Sequence, residues 1–124
     1  MFEETEFRLL PAEEAYADAL ACAEMLRPVV ERLADREPAL SARMRAAGAE
    51  LVMSVATAHV EMGPIERGCA WAAARGAAAE LGGLTELCRL FELPDDEAEA
   101  RLARADELLG RLQTTLPRLL SAAA

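Results

Sequence analysis

Apolar residues recur along this chain at alternating intervals of four and three, the spacing that lays a stripe along one face of an α-helix. Ala15, Ala19, Cys22, Leu26, Val29 and Leu33 follow it, and so do Ala98, Leu102, Ala105, Leu109, Leu112, Leu116 and Leu119. Between them Leu40, Met44, Ala47, Leu51, Ser54 and Ala58 form a third seam, with Val52 and Val55 beside it. The remaining stretch, Ile65 to Leu93, is built mostly of very small residues and holds Gly68, Gly76, Gly82 and Gly83. An exposed glycine inside a helix costs about 1 kcal/mol relative to alanine. Such a helix needs tertiary packing, and small residues permit close backbone approach, so the pattern predicts a helix packed on more than one side. No run alternates β-branched with polar residues as a half-buried strand does.

Prolines set the punctuation. Pro11, Pro38, Pro64 and Pro94 each precede an apolar repeat, and proline suits the first turn of a helix, where its missing N–H would be unpaired anyway. Acids follow in three of those first turns: Glu13 and Glu14, then Glu66, then Asp95, Asp96 and Glu97, at the positive end of the helix dipole. The chain thus reads as an arm over residues 1–10 and helices over about 11–35, 38–61, 64–93 and 94–120. Pro28 should bend the first helix, and Pro117 should weaken the last turn of the fourth and leave residues 121–124 frayed. Short connections between long helices make neighbours antiparallel, so the expected fold is an all-α, antiparallel up-down-up-down four-helix bundle in one domain.

Charge narrows the function. Thirteen arginines, no lysine and 22 acids give a net charge of −9. Nucleic-acid binders carry a basic footprint to neutralise phosphates, and anionic membranes demand the same. The one local basic excess is Arg36, Arg43 and Arg45. No basic-then-apolar leader opens the sequence and no apolar run nears the roughly 20 residues of a membrane span, so the expectation is a cytoplasmic protein off the membrane. Cys22, Cys69 and Cys88 are odd in number and lack a CxxC pairing, which reads as buried small hydrophobes in a reducing compartment.

No constellation carries catalysis. A di-iron bundle needs Glu-x-x-His pairs, and the single histidine, His59, belongs to none. His59 with Glu61 and Glu66 is at best a weak metal group; no metal and no cofactor are expected. Ser41, Ser54 and Ser121 stand in no nucleophile motif, and Gly82-Gly83 follows no strand as a phosphate loop would. Trp71 reads as a core or interface anchor. Glu80 shares a helical face with Ala73, Gly76, Leu84 and Leu87, so it is expected to be buried and paired, with Arg43, Arg45 or Arg75 as partner.

Several segments together resemble one family. Ala74-Arg75-Gly76-Ala77-Ala78-Ala79-Glu80-Leu81 is similar to the Ala-x-Gly-Ser-x-x-Glu-Leu signature of a bacterial four-helix-bundle family. That family is known from open frames in 23S rRNA intervening sequences and from accessory proteins of diversity-generating retroelements. Phe7-Arg8-Leu9-Leu10 resembles its opening Phe-Arg-x-Leu, Pro38 falls where it has a proline between helices one and two, and Arg45-Ala46-Ala47 resembles its Arg-Arg-Ala. The chain departs from it at Ser54-Val55-Ala56-Thr57-Ala58, where the family has Asn-Ile-Ala-Glu-Gly, and at Ala77, where it has serine. The resemblance implies the bundle and a ring of five subunits. It does not carry nucleic-acid binding across, because members tied to nucleic acid tend to be basic.

The reading is therefore a non-enzymatic scaffold or accessory protein that forms a homo-oligomer, a pentamer by resemblance, and meets a protein partner. Its interface or structural residues are Trp71, Arg75, Gly76, Glu80 and Gly83. The alternative is a nucleic-acid-binding accessory factor using Arg36, Arg43 and Arg45, disfavoured by the net charge of −9.

Overall fold

The computed structural model describes residues 10–60, 63–91 and 93–123. These form four α-helices: α1 (Pro11–Arg36), α2 (Pro38–Val60), α3 (Pro64–Leu90) and α4 (Asp96–Ala123). Of the N-terminal arm, only Leu10 lies within the described residues. Each helix packs on two neighbours, in the closed order α1–α2–α3–α4–α1, and the backbones of the diagonal pairs stay apart across the core. Cross-links between the ends fix the directions. Ser41 at the start of α2 donates to the Val30 carbonyl late in α1 at 2.8 Å. The Cys88 thiol at the end of α3 meets the Met44 sulfur early in α2 at 3.6 Å. Arg89 late in α3 reaches Glu99 early in α4 at 2.8 Å. The fold is the all-α antiparallel four-helix bundle that the seams predict.

The 4-3 repeats are the core. All six seam residues of α1 are buried, as are those of α4 through Leu116. On α3 the side turned inward is Ala70, Trp71, Ala74, Ala77, Ala78 and Leu81, continued by Leu84 and Cys88. Small residues on that side let the other helices come close, while Trp71 fills the space near one end.

Helix ends follow the proline rule three times and break it once. Pro11, Pro38 and Pro64 open their helices. Pro94 does not open α4. Asp95 is its cap, its carboxylate accepting from the Ala98 backbone N–H at 2.8 Å, and the helix begins one residue later. An aspartate that satisfies an otherwise unpaired N–H defines the start better than a proline that merely lacks one. α3 also stops earlier than the pattern suggests. Phe91 closes it at Leu90, and the Leu93 N–H turns back to the Cys88 carbonyl at 3.0 Å. α4, by contrast, runs on to Ala123 through Pro117, so the expected fraying from residue 121 is not seen. The carbonyl that Pro117 deprives of a donor belongs to Gln113, an exposed residue where water can take the bond. Pro28 is likewise accommodated inside α1.

Candidate interaction surface

α3 carries two stripes, not one. Opposite its buried side, Ile65, Cys69, Ala72, Gly76, Ala79 and Gly83 are all exposed and spaced by fours and threes; the exposed Glu86 interrupts the stripe before it resumes at Leu90. Ile65 and Leu90 at the two ends are 78% and 71% exposed. α2 does the same beside it: Ala42, Ala46, Ala49, Met53 and Val60 are exposed on the side away from the core, with Met53 at 63% and Val60 at 76%. α1 and α4 carry more exposed charge, at Glu14, Glu24 and Glu31 on α1 and Arg104, Glu107 and Arg111 on α4, among smaller exposed residues such as Ala17 and Ala103. The large exposed hydrophobics of α2 and α3, Met53, Val60, Ile65 and Leu90, thus stand on apolar stripes flanked by Arg43, Arg45, Arg75, Glu80 and Glu86.

The residues singled out on α3 divide accordingly. Trp71 is core. Arg75, Gly76, Glu80 and Gly83 are exposed. A side chain added at Gly76 or Gly83 would meet nothing within 4 Å. Among the described residues, then, these glycines mediate no close helix approach, and none of those residues packs on the outer side of α3 at Gly76 or Gly83. The expected burial of Glu80 is also corrected. Its side chain is 43% exposed, and it pairs with Arg43 on α2 at 3.6 Å. Helical spacing had grouped Glu80 with Leu84, which is buried, but Glu80 lies at the edge of that face, toward α2 and water.

The arginines Arg36, Arg43 and Arg45 do not come together. Positions two apart on a helix point to nearly opposite sides. Arg43 turns to α3 and Glu80, while Arg45 lines a groove against α1. Arg36 ends α1 and borders a small hollow with Arg32.

Elsewhere charge serves the bundle. Arg89 bridges α3 to Glu99 and Asp106 of α4 at 2.8 and 2.6 Å, and Asp106 also accepts from the buried Thr85 hydroxyl at 3.1 Å. Burial pulls against the Arg89 cation, but hydrogen bonds and charge from Asp106 and Glu99 outweigh it and raise its pKa. Asp18, buried on α1, receives two N–H groups from Arg111 of α4, one of them at 3.2 Å. Arg32 ties the end of α1 to Asp95 and Glu97. Cys22 and Cys88 are buried as expected, whereas Cys69 is exposed on the outer stripe of α3. Burial, reinforced by Asp106 and Asp18, pushes the Cys22 thiol up to about 12. Among the described residues no group of three or more His, Cys, Asp or Glu converges on a metal-sized site. His59 is exposed at the end of α2, and Glu61 lies outside the described residues. No described helix is long and apolar enough to cross a membrane.

The sequence reading missed the outer stripe of α2 and the groove residues Arg27, Gly48 and Arg101. The α2 stripe had a signal: Ala42, Ala46, Ala49 and Met53 repeat 4-3-4 beside the inner seam. No family, curated protein or solved structure matches the chain.

Proposed function

We propose that this protein is a non-enzymatic scaffold or accessory factor that self-assembles through the outward faces of α2 and α3. The observation carrying the reading is the contrast between that apolar face and the charged face of α1 and α4. Exposed apolar stripes rimmed by charged residues, as these are by Arg43, Glu80 and Glu86, mark interaction surfaces. Two helices about 10 Å wide and about 37 Å long present roughly 750 Å², close to the ≈ 800 Å² that each partner contributes to a standard interface. Small side chains there allow helices of neighbouring subunits to approach closely, and the bare positions at Gly76 and Gly83 are open to receive them. The resemblance favours a closed ring of five. Unpaired cysteines, one of them exposed, suit the reducing cytoplasm.

Binding of nucleic acid is not favoured. The net charge of −9 is multiplied on assembly, and the three arginines of the local basic excess face in different directions. Light scattering tests the assembly: at micromolar concentration the expected mass is a small multiple of 13.3 kDa, and a monomer contradicts the proposal.

A further inference from the structure

α1 and α2 enclose an open groove of about 710 Å³, away from the α3 side of α2. Its apolar lining includes Leu20, Met25, Leu26, Val30 and Met44. Gly48 is buried there, yet a Cβ on it would meet nothing within 4 Å, so the groove stays open where a side chain would fill it. The methionines can reshape to fit an entering side chain.

Three arginines from three helices stand around this lining: Arg27 of α1, Arg45 of α2 and Arg101 of α4. No described carboxylate pairs with any of them, whereas Arg32, Arg43, Arg89, Arg104 and Arg111 all have acidic partners. Glu24 and Glu31 also border the groove, so its charge is mixed with a small positive excess. A further polar feature comes from Pro28. Having no N–H, it cannot serve the carbonyl of Glu24 four residues back, an exposed groove-lining residue where water or an entering N–H can take the bond.

We infer that the groove binds a short peptide segment of a partner protein, one bearing carboxylates beside an aromatic or aliphatic side chain. The apolar side chain would enter above Gly48, the carboxylates would meet the arginines, and a backbone N–H would serve the Glu24 carbonyl. The apolar lining and the small positive excess suit one or two carboxylates beside an apolar side chain, whereas Glu24 and Glu31 oppose the denser charge of a phosphate chain. From Leu20 to Glu31 the groove runs roughly 16 Å along α1, room for about five extended residues. This inference rests on the accessory role only in requiring a macromolecular partner. Peptide binding is read separately from mass, so failure of assembly and failure of the groove are distinct results.

The test is selection of random heptapeptides on the purified full chain, followed by anisotropy titration of the enriched sequence. The expected outcome is enrichment of acidic peptides with an aromatic or aliphatic residue. Their affinity should fall at least tenfold in Arg45→Glu, Arg27→Glu and Gly48→Leu and stay unchanged in Arg118→Glu, on exposed α4 surface. A peptide with lysines replacing its acids should bind Arg45→Glu better than the parent. On the unaltered protein, amide shifts caused by the peptide should centre on Gly48 and Val30. No enrichment, enrichment indifferent to charge, shifts centred elsewhere, or displacement of the peptide by an RNA hairpin or anionic vesicles would overturn the inference.

Discussion

Arg43 Nε of α2 stands 3.6 Å from Glu80 Oε2 of α3, and the pair lies in the seam between the outer apolar stripes of these two helices. Both side chains are more than a third exposed in the single subunit, and such pairs contribute about 0–1 kcal/mol. Glu80→Ala should therefore change the stability of a dilute subunit by less than about 1 kcal/mol. Its larger effect should be on assembly, where a neighbouring subunit would dry the seam and strand the Arg43 charge. Melting curves at low and high protein concentration separate the two. A deep loss of stability in the dilute sample would restore the buried Glu80 that helical spacing alone suggested.

Asp95 has two tasks, capping α4 through Ala98 and receiving Arg32 from the end of α1. Loss of such a cap costs about 0.5–2 kcal/mol. Asp95→Ala should destabilise by about 1 kcal/mol in denaturant titration, and Asp95→Asn should be milder because an amide oxygen still caps. If the alanine variant matches the parent, Pro94 rather than Asp95 starts the helix.

The three thiols should separate by reactivity. In the native protein Cys69 should react rapidly with an aromatic disulfide reagent, and Cys22 and Cys88 only as fast as the bundle opens. Burial raises the Cys22 pKa from 9.0 to about 12. The folded state therefore holds this proton over a range where the unfolded chain has lost it. The associated stability is complete below pH 9 and is lost as pH rises from about 9 through about 12. Cys22→Ala should flatten that alkaline decline, as measured by denaturant midpoints across the range. An unchanged slope would remove Cys22 from the account.

The inner seams were legible because burial imposes a period, and Leu102, Leu109 and Leu116 could hardly sit elsewhere. Ends were less so. Pro94 and Asp95 both favour a helix start, and only the capping bond decides between them. The small residues of α3 marked the helix as one packed on more than one side, but not which of its sides faces the bundle. Alanine and glycine occupy both sides of the helix, so composition alone does not tell the inner stripe of Ala70, Ala74 and Ala77 from the outer one of Ala72, Gly76 and Ala79. The groove was not legible, since Arg27, Arg45 and Arg101 are far apart in sequence and meet only through packing.

The central claim is that the apolar side of α2 and α3, and not the charged side, is the association face. Sedimentation velocity of three exposed-alanine variants tests it most directly: Ala46→Arg on α2, Ala79→Arg on α3 and Ala103→Arg on α4. All three positions are helical and exposed, so each subunit should keep its fold, as far-ultraviolet circular dichroism would verify. The account predicts that Ala46→Arg and Ala79→Arg sediment as monomers at concentrations where the parent and Ala103→Arg remain assembled. Dissociation by Ala103→Arg alone, or identical sedimentation of all four proteins, would contradict it.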